Sequence, residues 1–440
     1  MNSPLPEKPE APSERDDELP GLRATTPEER RRAFAILFIC LLSIGMGQSL
    51  FFAVLPPIAR DLGMSEFQTT MIFSLSALLW VLTSTFWGQR SDYMGRKPVI
   101  LIGLLGFAIS TTGFAFIVML GMNSVLSLAL MFPLLISVRS IFGVFGSGTM
   151  PAAQAYVADR TTRMERASGV ASIGAAFGMG TVIGPGFAAS LAELHILLPF
   201  FAVSFLAFGS AFFIWLLLPE RTRPKTKLSE RKKRRLNMLA PNVLPFLIVG
   251  VLLSFSQSIT MQLAAFYFMD VLQVSANEAT QFVAVGLMGM AMATLFAQLV
   301  LIQRFDFTNQ TLMRSGCLVM IVSFSLLVIG SSYGVLVSGL TLAGLGFGLL
   351  RAGLSAGASL SVSPKDQGAI AGLIGSTAAT GHILNPFIGI PLYKLVSHQA
   401  PFALGASLMV VILLIAILNP VMRSIRTIVE EDDEQDLHPH

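Results

Sequence analysis

Long apolar stretches, nearly free of charge, alternate with short polar turns along almost the whole of this sequence. Twelve stretches stand out, at about 34–58, 67–87, 98–120, 127–157, 167–190, 197–218, 243–269, 280–302, 312–331, 334–361, 368–393 and 401–421. An α-helix needs about twenty apolar residues to cross the hydrocarbon core of a bilayer. Each stretch therefore predicts one membrane-spanning helix, and the expected class is an all-α integral membrane protein.

Charge sharpens that picture. Only 13% of the 440 residues are charged and 53% are hydrophobic, against about a quarter charged in an ordinary soluble domain. When the chain is threaded back and forth through the twelve stretches, 26 of its 30 Lys and Arg fall on one side. Arg60 and Lys394 fall on the other, and Arg139 and Arg351 lie inside the apolar stretches. The positive side is expected to be cytoplasmic. That places both termini inside a plasma membrane, the inner membrane if the cell is bacterial. Cations confined to loops and tails make the lipid bilayer a partner and argue against nucleic acid.

The same threading divides the chain. Residues 1–33 are rich in Pro, Glu and Arg, with no apolar core, and are expected to form a disordered cytoplasmic tail without a signal peptide. A first group of six helices is expected over 34–218 and a second over 243–421. Between them lies a basic cytoplasmic linker, 219–242, holding nine cations between Arg221 and Arg235. An acidic tail, 422–440, closes the chain. The two cysteines, Cys40 and Cys317, both sit in apolar stretches, which excludes a disulfide framework and a thiolate metal site. No cofactor is expected.

One polar turn carries more than topology. Gly88-Gln89-Arg90-Ser91-Asp92-Tyr93-Met94-Gly95-Arg96-Lys97 joins the second and third stretches. Its glycines permit a tight reversal, and Asp92 is placed to meet a cation or a positive helix end. The pattern Gly88, Asp92, Gly95, Arg96, Lys97 resembles the signature loop of the major facilitator superfamily. A decayed copy, Gln303-Arg304-Phe305-Asp306, occupies the corresponding place in the second half. Sliding the chain by 201 residues sets Gly143 on Gly344, Ala155 on Ala356, Glu165 on Asp366, Gly180 on Gly381 and Pro185 on Pro386. The halves thus read as repeats.

Two further constellations narrow the resemblance. The fourth stretch holds Arg139 followed by Gly143, Gly146 and Gly148, then Ala155-Tyr156-Val157-Ala158-Asp159. The fifth holds Gly178-Met179-Gly180-Thr181-Val182-Ile183-Gly184-Pro185-Gly186. Glycines let helices approach closely. Pro185, between Gly184 and Gly186, makes a bendable segment, and an intramembrane arginine costs at least roughly 2–3 kcal/mol unless it meets water or a partner. Together these are similar to the arginine and antiporter motifs of twelve-helix drug:proton antiporters, the tetracycline and multidrug exporters.

That resemblance implies two six-helix bundles related by pseudo-symmetry, a central cavity, alternating access, and proton-driven export of small amphipathic molecules by a protein that is not an enzyme and acts as a monomer. It further implies that Asp92, Arg96 and Asp159 form a cytoplasmic charge cluster locking the outward-facing state. The chain departs from the family pattern at Phe187-Ala188-Ala189, where a glycine pair is usual, and in lacking a mid-membrane acid.

All 26 acids can be placed in tails, linker or turns. Asp270, ending the seventh stretch, is the first candidate for the coupling acid. His382, in the eleventh, is the second, its titration range suiting a proton carrier. Mid-membrane polar residues face bundle interiors. Candidates for the substrate and proton pathway are therefore Gln48 and Phe52 in the first stretch, Gln257 and Gln262 in the seventh, Arg351 in the tenth and Asn385 in the eleventh, with Arg139. The alternative to a proton-coupled exporter is a carrier of organic anions held by Arg139 and Arg351, without proton coupling.

Overall fold

Twelve long helices account for the chain in a computed structural model that describes residues 26–162, 165–220, 237–305, 307–363 and 366–422. They are α1 (Pro27–Asp61), α2 (Glu66–Met94), α3 (Arg96–Met122), α4 (Leu128–Ala158), α5 (Arg166–Ala192), α6 (Leu198–Leu217), α7 (Leu244–Leu272), α8 (Ala276–Arg304), α9 (Asn309–Ile329), α10 (Tyr333–Leu360), α11 (Gln367–Leu395) and α12 (Ala400–Leu418). Eleven are long and apolar enough to cross a membrane. The remaining one, α11, has 29 residues, but Gly, Ser, Thr, His and Asn dilute its apolar character. The basic run Arg221 to Arg235, the decayed-turn Asp306 and the acidic tail lie outside the described residues.

Helix starts follow local chemistry. Thr26, Ser65 and Ser275 cap α1, α2 and α8, each in a reciprocal capping box with Glu29, Gln68 and Glu278. The first of these moves a boundary. With Thr26 capping and Pro27 in the first turn, α1 starts inside the expected tail and carries Arg30, Arg31 and Arg32 as helical residues. Between α2 and α3 the chain turns on one residue, Gly95, at φ +96°, where a side chain would be strained.

The packing repeats with a period of six helices. Helix α1 packs on α5, α2 on α4, and α3 on α4 and α6. Correspondingly, α7 packs on α11, α8 on α10, and α9 on α10 and α12. Between the halves the principal contacts are α2 with α11 and α5 with α8, again a related pair. This is the expected pair of pseudo-symmetric six-helix bundles.

Glycine fixes the closest crossings. A Cβ on Gly180 would stand 2.2 Å from the Leu42 carbonyl oxygen of α1, and one on Gly381 2.0 Å from the Ser254 carbonyl oxygen of α7. Likewise Gly143 would meet Ser76 O at 2.6 Å, and Gly344 would meet Met290 O at 1.9 Å. The glycines that coincide in the 201-residue slide thus serve equivalent crossings. In the α5 motif, Gly184 lies against Ser49 and Met46 of α1, Gly186 faces Met288 of α8, and Pro185 lies inside the helix.

Candidate functional site

On the side away from the signature turn, a polar cluster ties the two halves together. Arg60, in the last turn of α1, forks onto Asp270 of α7 at 2.6 and 3.0 Å and reaches Glu66 of α2 at 2.7 Å. Lys394 of α11 meets the other Glu66 oxygen at 2.8 Å. The Tyr393 hydroxyl donates to Asp270, and His398 stands 3.9 Å from it. The guanidinium of Arg60 also lies 5.0 Å above the Phe266 ring. Forked, partly desolvated arginine–carboxylate bonds are the strong kind. Asp270 was legible as a deep acid. Its partners Arg60 and Tyr393, and the Glu66–Lys394 pair that continues the cluster, carry no joint signal in the sequence, although Arg60 and Lys394 stand out as the two cations on that side.

Below this closure lies a second layer. The ring of Phe52 on α1 stacks on Phe73 of α2 at 4.8 Å and on His382 of α11 at 5.9 Å. The Ser74 hydroxyl donates to the His382 carbonyl oxygen. Gln262 Nε2 lies 2.8 Å from His382 Nδ1, and Asn385 Nδ2 donates to Gln262 Oε1 at 2.9 Å. Four pathway candidates, Phe52, Gln262, His382 and Asn385, therefore converge.

Beneath that layer α7, α10 and α11 enclose a cavity of about 180 Å³ reaching toward the signature-turn side. Ser254, Gln257, Arg351, Ser355 and Thr377 supply polar groups, and no acid is among the lining residues. Arg351 is exposed to this space, and among the described residues it has no hydrogen-bond or ion-pair partner. Arg139 lies elsewhere. It is 2% exposed and packed between Phe51 and Phe142, its guanidinium 4.0 and 4.8 Å from the two rings. Its Nη2 donates to Gln48 Oε1 at 2.9 Å, while Nε and Nη1 have no partner. The structure thus separates the two arginines instead of pairing them around one ligand.

At the signature turn, Arg96 meets Asp92 at 2.6 Å and Asp159 at 3.4 Å. The three expected members of the charge cluster are in contact. Sequence reasoning missed a fourth residue, Glu220. Its carboxylate accepts the N–H groups of Arg96 at 3.1 Å and Lys97 at 2.7 Å, capping α3. A Cβ on Gly95 would stand 2.2 Å from that carboxylate, so the glycine supplies both the turn and the room. Lys97 Nζ in turn donates to the carbonyls of Trp215 and Leu218, both at 2.8 Å, holding the end of α6. Gly88 has open space around it.

The model of the Major Facilitator Superfamily matches residues 37–386. Multidrug resistance protein 1 of Bacillus subtilis is 29% identical over 271 residues, 61% of this chain and 64% of that protein. Multidrug resistance protein 2 of the same organism is 31% identical over 42% of this chain and 43% of its own length. The quinolone resistance protein NorA of Staphylococcus aureus is 29% identical over 39% of this chain and 42% of its own. The matched stretches thus span less than two thirds of these relatives. Among solved structures, the human organic anion transporter MFSD10 superposes with a TM-score of 0.62 at 23% identity, covering 89% of this chain and all of that one. A D-xylose–proton symporter gives 0.68 at 15%, covering 88% of this chain and 98% of that one. These structural likenesses share the fold. With the family model matching most of its length, this chain belongs to the Major Facilitator Superfamily.

Proposed function

We propose that this protein is a membrane transporter that exports small amphipathic molecules bearing an anionic or strongly hydrogen-bond-accepting group, by alternating access coupled to protons. The observation that carries the reading is Arg351, unpartnered in a cavity whose lining holds no acid. A cation without a counter-charge on the wall of a cavity favours an anionic guest, and a guanidinium can hold a carboxylate, sulfonate or phosphate with two bonds. Leu253, Leu354, Ile370 and Ile374 supply the apolar remainder of the surface. The drug-resistance relatives support the direction of transport.

With the basic side inside, the cavity opens to the cytoplasm and the Arg60 cluster shuts the outer side. Both termini are then cytoplasmic, and the state is the inward-facing one. A proton arriving from outside onto Asp270 would remove the charge that holds Arg60, loosening the tie between α1 and α7. This keeps Asp270 as the first coupling acid, acting at the gate. The contacts of Arg96 with Asp92 and Asp159 lie within the first half and are formed in this inward-facing state. They therefore brace the cytoplasmic end of that half, and a lock on the opposite state would add a contact to the second half. An uncoupled carrier gripping its substrate with both arginines is the second reading, and Arg351 alone favours it, since Arg139 is turned into the packing of α1 on α4.

The test is transport of anilinonaphthalenesulfonate, a fluorescent amphipathic anion, against ethidium, a cation, by purified protein in liposomes. Loss of one charge-assisted contact is about 1.5–3 kcal/mol, or roughly tenfold or more in affinity. Arg351→Gln should therefore raise the half-saturating anion concentration about tenfold and leave ethidium unaffected or better transported. Equal kinetics for both dyes in wild type and variant would refute the anion assignment.

A further inference from the structure

The second layer of the closure has chemistry that neither the gate nor the cavity uses. The imidazole of His382 sits where α1, α2, α7 and α11 meet, and its surroundings are neutral. Phe52 comes from α1, Ser74 from α2, Ser258 and Gln262 from α7, and Asn385 from α11 itself. Toward the outer side the charged groups nearest along those helices stand in the outer cluster, while Arg139 of α4 reaches α1 at Gln48 and Phe51, the residue before Phe52. Arg60 is eight residues beyond Phe52, Glu66 eight before Ser74, and Asp270 eight beyond Gln262. At 1.5 Å per residue each lies about 12 Å away along its helix. Lys394 is twelve residues along α11, about 18 Å. The ring thus makes no direct contact with a charged group and lies one layer beneath a gate that carries four, with Arg139 on the far side of the Phe51–Phe52 step.

The bonds around it run in one direction. Asn385 Nδ2 donates to Gln262 Oε1, so Gln262 turns its amide nitrogen to His382 and Nδ1 accepts. The neutral ring therefore carries its proton on Nε2. No protein atom among the described residues bonds Nε2, and this edge of the ring is not fully enclosed. Asn385 Oδ1 is buried and has no partner.

A primary amide can donate or accept at the same place by turning over. We infer that His382, Gln262 and Asn385 form a reversible proton-binding site. A proton adds to the Nδ1 lone pair, Gln262 turns over to accept from Nδ1–H, and Asn385 turns over with it, so that its Oδ1, unpaired before, accepts from Gln262 Nε2. Each arrangement contains two hydrogen bonds, so the charged ring keeps its contacts while the outer side is shut. An exporter that returns inward with a proton aboard requires such a state. Deprotonation then reverses both amides and sends the proton to the cavity water. The assignment rests on the proton-coupled reading, and names where the proton rides once past the gate.

The site can be read without transport. Full-length protein in lipid nanodiscs, isotope-labelled at the histidine ring nitrogens, resolves the protonation of each nitrogen by NMR. Five histidines contribute, and His382→Gln identifies the one of interest. The expected result is a ring with Nε2 protonated and Nδ1 bare when neutral, titrating within about three units of the ordinary midpoint near 6.5. Gln262→Glu, which only accepts, should raise the midpoint by about one unit or more, and Gln262→Met, which does neither, should lower it by a similar amount. One of these variants suffices if the other fails to fold.

A ring that never titrates in that window, a neutral ring protonated on Nδ1, or Gln262 variants titrating as wild type would each overturn the site. Wild-type transport that responds to a pH step beside a silent His382 would leave the coupling to Asp270. Transport indifferent to pH beside a ring that titrates as described would refute the coupling and keep the site.

Discussion

Replacing Asp270 by Asn removes one charge from the outer closure and nearly preserves shape. In wild type, Arg60 holds Asp270 through two bonds of 2.6 and 3.0 Å, and the two side chains are 26% and 20% exposed. Hydrogen bonds between charged groups contribute roughly 1.5–3 kcal/mol, and partial exposure together with the amide's residual bonding favours the lower end. Arg60 retains Glu66 at 2.7 Å, and Glu66 retains Lys394 at 2.8 Å, so the closure is weakened and not abolished. A loss of about 1.5–2 kcal/mol, at 1.4 kcal/mol per decade, shifts the balance toward the outward-open state by about 10- to 30-fold. The reporter is a cysteine at Ser74, two turns below Glu66 and sealed by the closure. The native Cys40 and Cys317 are buried and should stay silent. In intact cells the labelling rate of Ser74→Cys with an impermeant thiol reagent should rise by that factor in the Asp270→Asn background. Glu278→Gln, an acid outside the cluster on the same side, should leave it unchanged. Equal labelling in Asp270→Asn and its parent, at equal expression, would refute the gate assignment.

At the signature turn, Asp92→Asn should leave expression and dye affinity near wild type while transport falls at least tenfold, because Asp92 serves a state and not the ligand; transport at the wild-type rate would remove the lock. Glu220→Ala uncaps α3 and should cost about 1–2 kcal/mol, seen as a lower melting temperature of the detergent-solubilised protein, whereas an unchanged melt would show that water replaces the carboxylate. Gly381→Val places a side chain onto the α7 backbone, 2.0 Å from Ser254 O at the first carbon, and should lower the melting temperature more than Gly375→Val, where the added carbon meets nothing within 4 Å. Equal effects of the two valines would mean that the α7–α11 crossing tolerates separation.

Membrane helices announce themselves by length and apolarity, which is why α1 to α12 and their pseudo-symmetry were legible before any coordinates. The Thr26–Glu29 capping box was present in the sequence too, but apolarity alone cannot see a polar first turn, and the start of α1 was read seven residues late. The charge cluster of Asp92, Arg96 and Asp159 was implied by the family resemblance and not by the turn itself, since Asp159 lies more than sixty residues away. Glu220 did not, because a carboxylate that caps a helix more than a hundred residues away leaves no local signal. The pathway residues were legible as polar groups at depth, and their grouping was not. Nothing along the chain distinguishes Arg351, which faces water, from Arg139, which lies between two phenylalanine rings. That difference belongs to the rotation of α4 and α10 about their axes, set by packing.

The central claim is coupled export through a cation-lined cavity, and proteoliposomes loaded with anilinonaphthalenesulfonate at equal concentration on both sides test it directly. Acidifying the compartment facing the outer gate should drive the dye into that compartment against its gradient, and collapsing the pH difference with a protonophore should stop it. Dye that stays at equal concentrations whatever the pH step, while exchanging readily between the compartments, would contradict the account and leave an uncoupled carrier in its place.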